Sequence, residues 1–206
     1  FQGGSFLVLD IGTYGVKMLY VSKGGSKGLK IEGHASKSYI SDIYTDEGIN
    51  VDVIFSATRS AIKELSSGFG KSLPKKVVLG IGGGFLHGRT ITQNYIRDNS
   101  SSEIDEGEFS NIIQKVQQRI YEQIRRDFAK ETSRSELEVL LIDSEIIDVK
   151  IDGYQIVNPI GFKGKEVAVS IFNSYSARSS IQLFEKIVTD LKLELLSIVS
   201  ERSSYK

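Results

Sequence analysis

The stretch FLVLDIGTYGVK, residues 6–17, decides the fold of this chain. Its first four residues are apolar and have the pattern of a short buried strand that ends at Asp10. Gly12 and Gly15 then allow a tight reversal before apolar residues resume. The pattern predicts a β-hairpin whose tip carries an aspartate, two glycines, a threonine and, seven residues after the aspartate, Lys17.

The predicted tip contains the groups that hold a phosphate and its metal ion. Backbone N–H groups of a turn can form an anion-binding nest, to which the Thr13 hydroxyl and the Lys17 ammonium add donors. The Asp10 carboxylate can order Mg²⁺ through water. The alternative is an ordinary hairpin in which the glycines serve backbone geometry and Asp10 caps the turn. The residues alone leave both interpretations open.

The order D-I-G-T-x-x-V-K resembles the first phosphate motif of the actin and sugar-kinase superfamily of ATPases. The resemblance implies ATP and Mg²⁺ as cofactors, with Asp10 holding the metal ion through water. It implies that the nucleotide is bound by the residues of the motif, namely Asp10, Gly12, Thr13, Tyr14, Gly15 and Lys17. No catalytic residue is identified. Ser200 and Glu201 fall near the position at which some actin relatives carry the carboxylate that orients the attacking water.

The composition is that of an ordinary globular protein, and it excludes several functions. Its 26 basic and 26 acidic residues give a net charge of zero, which argues against nucleic acid as a partner. The chain of 206 residues has no cysteine, so it has no disulfide and no thiolate metal site. Its two histidines are too few and too far apart to suggest zinc. No apolar run is long enough to span a bilayer.

The elements after the hairpin follow an order that is usual for an actin-like α/β domain. Residues 29–38 have the pattern of a third strand, a helical pattern begins at Asp52 as the expected N-cap, and residues 77–81 form an apolar strand. The Gly-Gly-Gly run at residues 82–84 precedes a strand-like alternation, whereas a dinucleotide site needs a helix there. We interpret this run as a bend or a domain junction.

The middle of the chain, residues 85–166, has the order strand, helix, strand, strand. The helix begins with a capping-box pattern in Asp105 and Glu108. Near the end of this region lies the string NPIGFKG, residues 158–164, in which proline and two glycines favour tight bends. A strand, a helix and a last strand are predicted beyond it.

These segments together are similar to the N-terminal part of the FtsA family of bacterial cell-division proteins. That family inserts a strand-helix-strand-strand subdomain, 1C, into an actin-like (ribonuclease H-like) subdomain, 1A, and carries an N-P-x-G-x-x-G segment. The resemblance implies an α/β fold with subdomain 1A at residues 6–84 and 167–206, and with an inserted interaction subdomain 1C at residues 85–166. Residues 203–205 resemble the segment with which the family re-enters 1A.

The resemblance also implies a function, a set of partners and a location. The protein would be a nucleotide-binding scaffold of cell division, in the cytoplasm at the inner face of the membrane at the division site. Residues 85–166 would support self-association and recruit division proteins. The second phosphate motif, the surface for the tubulin-like ring protein FtsZ and a membrane-binding C-terminal helix would lie beyond Lys206. We therefore expect a piece of a longer protein, with residues 1–5 as a tag remnant, weak ATP binding and little or no hydrolysis.

Two other functions use the same fold. A type IV pilus assembly protein of the PilM kind would bind an extended peptide beside the inserted subdomain. A sugar-kinase-like enzyme would use the same phosphate motif, but the short insertion and the lack of a recognisable catalytic constellation argue against it. The encoded sequence beyond Lys206 would separate these alternatives.

Overall fold

The computed structural model of the chain describes residues 4–24, 28–45, 48–69 and 72–200. Contacts divide the chain into two compact units. Unit 1 extends to Leu86 and resumes at Ser176, and unit 2 is His87–Tyr175. The predictions for residues 1–3, Glu201 and residues 203–205 lie outside the described ranges. Among the helices of these ranges, none has an apolar stretch of membrane-spanning length.

Unit 1 is built on a five-stranded sheet. Its strands are β1 (Ser5–Ile11), β2 (Gly15–Lys23), β3 (Leu29–Ser38), β6 (Lys76–Ile81) and β11 (Glu194–Ser200). The strand order is β11-β6-β1-β2-β3, with antiparallel pairing of β1 with β2 and of β2 with β3. β6 is parallel to β1 and to β11. A two-stranded ribbon, β4 (Tyr44–Thr45) and β5 (Gly48–Ile49), follows β3 in the chain.

The core of unit 1 lies between this sheet and two helices. Helix α1 (Val51–Phe69) contacts β2 and β3, and helix α3 (Arg178–Asp190) contacts β11 and α1. Buried apolar side chains recur at alternate positions of β1 and at helical spacing in α1: Leu7, Leu9, Ile11, Ile54, Ala61 and Leu65. These two periodicities confirm the predicted strand and helix.

The start of α1 differs from the prediction. The sequence predicts Asp52 as the N-cap, but α1 begins at Val51 and Asp52 lies in its first turn. The Asn50 side chain instead accepts a hydrogen bond from Val53 N–H at 3.4 Å. An aspartate in the first turn still interacts favourably with the helix dipole, which explains why either position fits the pattern.

Unit 2 combines a four-stranded sheet with one long helix. Its elements are β7 (His87–Ile96), α2 (Glu106–Thr132), β8 (Val139–Ile151), β9 (Tyr154–Gln155) and β10 (Glu166–Ala177). The strand order is β7-β10-β8-β9, and β7 and β10 are antiparallel. α2 buries five apolar side chains at helical spacing, Ile112, Val116, Ile120, Ile124 and Phe128. Unit 2 therefore has its own hydrophobic core.

The second boundary of unit 2 lies at Tyr175, later than the predicted end of the insertion at residue 166. β10 pairs with β7 from Glu166 to Tyr175, so most of this strand belongs to the sheet of unit 2. A strand pattern in a sequence does not reveal its partner strand, which is why the boundary differs. Tyr175 lies opposite His87 in the ladder, and the two ends of unit 2 are therefore neighbours.

Arg97 holds the start of α2. Its fully buried side chain forms two 2.7 Å hydrogen bonds with Glu108 and donates to the Ser102 and Gly164 carbonyls. Asp105 caps α2 as predicted, because its side chain accepts from Glu108 N–H at 2.7 Å. The Glu108 carboxylate binds Arg97, which departs from the reciprocal capping box that the sequence predicts.

The loop of residues 158–164 has the tight bends that its sequence predicts. The Asn158 side chain accepts from Ile160 N–H at 3.1 Å, and Pro159 is buried. Ile104 makes two backbone hydrogen bonds of 2.8 Å to this loop, accepting from Gly161 N–H and donating to the Phe162 carbonyl. The loop is therefore held in one conformation, with Phe162 exposed at its surface.

Candidate functional site

The hairpin of β1 and β2 is closed by a two-residue tip. Gly12 N–H donates to the Gly15 carbonyl at 3.0 Å, which leaves Thr13 and Tyr14 at the turn. Gly15 lies against β3 so closely that a Cβ atom there would come within 2.4 Å of the Lys37 carbonyl oxygen. Glycine is therefore required at Gly15 by a close backbone approach, and the predicted hairpin is confirmed.

All six residues predicted for the nucleotide line one open cavity of about 340 Å³. Among the described residues, four more line it, Ser36, Lys37 and Ser38 from β3 and Gly83 from the turn after β6. The sequence does not predict these four as site residues. The Gly-Gly-Gly run at residues 82–84 is a signal for Gly83 alone, and its pattern predicts a bend or a domain junction. Strand pairing brings the β3 residues to the hairpin, with Lys17 opposite Ser36 and Gly15 opposite Ser38.

The two charged groups predicted for the site are cross-strand neighbours. Asp10 and Lys17 are paired in the β1–β2 register, and Lys17 Nζ lies 3.9 Å from Asp10 Oδ2. The Lys17 side chain is 72% exposed, so this ion pair contributes little to stability, about 0–1 kcal/mol. Lys17 can therefore turn toward another anion at small cost.

The hairpin tip presents two backbone hydrogen-bond donors. In the part of the chain that the structure describes, no acceptor receives the backbone N–H of Thr13 or of Tyr14. Thr13 Oγ1 accepts a hydrogen bond from Gly84 N–H at 3.3 Å. Adjacent backbone N–H groups of this kind can bind an anion oxygen.

Tyr39 holds the tip from the β3 side. Its hydroxyl donates to the Gly12 carbonyl at 3.0 Å, and its backbone N–H donates to the Tyr14 carbonyl at 3.0 Å. Burial raises the pKa of the Tyr39 hydroxyl, and the Asp10 charge raises it further. Tyr39 therefore keeps its proton and remains a donor at neutral pH.

The donor set of the cavity fits Mg²⁺ bound together with a phosphate. Within the described residues, no group of three or more histidine, cysteine, aspartate or glutamate side chains could hold a metal ion. Among the described residues that line the cavity, Asp10 is the one acidic side chain. Mg²⁺ is commonly held by one or two carboxylates, several waters and the substrate phosphates. Asp10 could take that role. Ser200, at the end of β11, is buried.

A second cavity, of about 700 Å³, shares Thr13 and Tyr14 with the first. Its other wall is the segment of residues 39–44 after β3. Tyr14 and Ile40 are 88% and 92% exposed at its rim, and burial raises the pKa of Tyr44 in its wall. The hairpin tip thus lies between two cavities, and the lining of the second includes three tyrosines, Tyr14, Tyr39 and Tyr44.

Comparison with known proteins identifies the fold but no family. No family profile matches the chain, and no curated protein matches its sequence. The solved structure of the PilM-PilN type IV pilus biogenesis complex matches it with 14% identity and a TM-score of 0.55. That match covers 96% of this chain and 47% of the other, so the chain spans about half the length of its relative.

Two further solved structures match less closely. The cytoplasmic domain of EpsL, an inner membrane component of the type II secretion system of Vibrio cholerae, has 9% identity and a TM-score of 0.43, covering 95% of this chain and 57% of that one. The diol dehydratase-reactivating factor in its nucleotide-free form has 9% identity and a TM-score of 0.37, covering 94% and 64%. This chain therefore spans less than two thirds of the length of either structure.

The class of the protein follows from the first match and the sheet. Three antiparallel strands, a helix and two further strands parallel to the first give the strand order β11-β6-β1-β2-β3. With the fold shared over 96% of its length with the PilM-PilN structure, the chain has an actin-like α/β fold.

Proposed function

We propose that this chain is the nucleotide-binding part of an actin-like assembly protein of a bacterial envelope machine, with type IV pilus assembly as the principal candidate. The observation that carries the proposal is the shared fold with the PilM-PilN pilus biogenesis complex over 96% of the chain. In that complex an actin-like protein is assembled with a second protein. We infer the same kind of role here, on the cytoplasmic side of the membrane.

The nucleotide would be ATP with Mg²⁺, bound by its phosphates at the hairpin tip. The support is that the six residues of the motif share one cavity. The unpartnered N–H groups of Thr13 and Tyr14 would donate to phosphate oxygens, and Lys17 would neutralise their charge. Asp10 would hold Mg²⁺ through water, and the metal ion would offset further phosphate charge. Nucleotide occupancy would then regulate the assembly.

Protein binding would belong to unit 2. This unit has a core of its own, and among the described strands β7 pairs with β10 alone and forms one edge of the sheet. An edge strand can accept an extended segment of a partner through backbone hydrogen bonds, while pockets for alternate side chains give specificity. Self-association through the same unit is a further expectation.

A role in cell division is the second candidate, and one observation favours it. The loop of residues 158–164, whose sequence resembles the FtsA family segment, is fixed by the side chain of Asn158 and by two backbone hydrogen bonds to Ile104. The protein would then recruit division proteins at the inner face of the membrane at the division site. The FtsZ ring and the membrane would be bound by parts of the protein other than this chain.

Deletion of the gene in its source bacterium distinguishes the two candidates. Pilus assembly predicts loss of surface pili with normal cell length, whereas division predicts long, undivided cells. Complementation with the whole gene carrying Lys17→Ala is expected to fail, because phosphate charge is no longer neutralised. Lys23→Ala, an exposed lysine at the far end of the same strand, is the matched control and is expected to restore function.

A second complementing variant tests unit 2. Removing residues 87–175 and joining Leu86 to Ser176 through a short Gly-Ser linker is feasible because Tyr175 and His87 are paired. This variant is expected to accumulate but not to restore the phenotype. Normal pili and normal cell length in the deletion strain would contradict both candidate functions.

A further inference from the structure

The turn after β6 contacts the hairpin tip directly. Gly82 N–H donates to the Ile11 carbonyl at 3.4 Å, at the end of β1. Gly84 N–H donates to Thr13 Oγ1 at 3.3 Å, and Gly83 lines the same cavity as the motif. The Gly-Gly-Gly run at residues 82–84 is therefore part of the wall of the candidate phosphate site.

Gly83 cannot be replaced without moving the Thr13 side chain. Its φ of +58° is in the left-handed region, which residues other than glycine rarely adopt. A Cβ atom at this position would lie 2.1 Å from Thr13 Oγ1, far inside the contact distance. The atom that would be displaced is the same hydroxyl that accepts the Gly84 N–H.

The Thr13 hydroxyl can accept the Gly84 N–H and still donate its own proton. A threonine hydroxyl has one proton to donate and two lone pairs to accept with. Because one lone pair takes the Gly84 N–H, the oxygen is held in place while its proton remains available for another acceptor. The N–H groups of Thr13 and Tyr14 beside it are donors and cannot accept that proton.

We propose that the glycine turn at residues 82–84 positions the Thr13 hydroxyl as a hydrogen-bond donor to a phosphate oxygen of the bound ligand. Gly83 and Gly84 are positioning residues that act through Thr13. This inference rests on the proposed nucleotide site and adds to it an element that is distant in sequence. It also explains why position 83 is glycine, a residue that the bend interpretation leaves without a ligand role.

The test uses the ¹⁵N-labelled chain of 206 residues, titrated with Mg²⁺-tripolyphosphate and followed by the NMR shifts of the Thr13 and Tyr14 amides. Gly83→Ala and Thr13→Val are each expected to weaken binding about tenfold, the usual effect of losing one hydrogen bond to a charged group. The double variant is expected to bind about as well as either single variant, because both changes remove the same contact. Thr13→Ser, which keeps the hydroxyl, is expected to bind like the unmodified chain.

Gly28→Ala is the matched control. Gly28 also has a positive φ, +85°, but a Cβ atom there would meet nothing within 4 Å, so this variant carries the strain of a positive φ without touching Thr13. The affinity of the Gly28→Ala variant for Mg²⁺-tripolyphosphate is expected to be unchanged. Gly83→Ala binding as tightly as the unmodified chain would overturn the inference. So would a double variant weakened about a hundredfold, which would mean that the two residues act independently.

The same spectra separate this inference from the proposed function. If the unmodified chain shows no shift at the hairpin with tripolyphosphate, the nucleotide proposal fails. The positioning contact is then judged in the ligand-free chain by hydrogen exchange of the Gly84 amide, which Thr13→Val is expected to accelerate. Equal exchange in both chains would overturn the contact itself.

Discussion

Lys17 and Arg97 differ in exposure, and exposure decides what each charge contributes. The Lys17 side chain is 72% exposed and lies 3.9 Å from Asp10, so its ion pair is weak and easily exchanged for a ligand. The Arg97 side chain is fully buried, with Glu108 and two backbone carbonyls as partners. Its hydrogen bonds belong to the fold of unit 2, since no ligand could replace them without unfolding the surrounding loops.

Arg97→Met is expected to lower the free energy of unfolding by about 3 kcal/mol, because it leaves Glu108 and buried carbonyls without their partner. Arg89→Met is the control. Arg89 also binds two carboxylates, Asp127 and Glu131, but its side chain is 33% exposed, so a loss below about 1 kcal/mol is expected. Urea unfolding of the two variants measures the difference. Equal losses would contradict the assignment of Arg97 as the buried structural cation.

At the scale of the elements, local pattern predicts most of what the structure contains. The hairpin, α1, α2 and the strands from β6 to β8 follow from period-two or helical spacing, because burial repeats with the geometry of each element. Which strands pair, and which side chain caps a helix, are harder to predict. The pairing of β10 with β7 depends on where the chain folds back, which spacing does not encode. The hydrogen bond that the Asn50 side chain accepts from Val53 N–H is local, but the pattern fits either Asn50 or Asp52 as the N-cap.

The two helix caps give a test at this scale. Asp105→Ala is expected to destabilise the chain by about 1 kcal/mol, since its oxygen accepts from Glu108 N–H at a short 2.7 Å. Asn50→Ala is expected to cost less than about 0.5 kcal/mol, because its bond to Val53 N–H is 3.4 Å long and correspondingly weak. Both values come from urea unfolding followed by circular dichroism. The reverse order would show that Asn50, and not Asp105, is the stronger cap.

At the scale of the whole molecule, the candidate site joins three parts of the chain that are far apart in sequence. The sequence predicts the six residues of the motif because they are contiguous on one hairpin. It does not predict Ser36, Ser38 or Gly83 as neighbours, since the strand order β6-β1-β2-β3 brings them together. The actin-like fold therefore supplies what the motif lacks, namely a second and a third wall for the cavity.

The central claim is that this hairpin is a phosphate-binding site in an actin-like fold, and one NMR titration tests it most directly. Mg²⁺-ATP is added to the ¹⁵N-labelled chain, with Mg²⁺ alone and Lys17→Ala as controls. Weak binding is expected, with a dissociation constant of about 1 mM, because the cavity is open to solvent on one side. The account predicts that the largest amide shifts occur at residues 12–17 and at Gly83 and Gly84, and that Lys17→Ala reduces them. Shifts confined to other parts of the chain, or hairpin amides that do not move with saturating nucleotide, would contradict it.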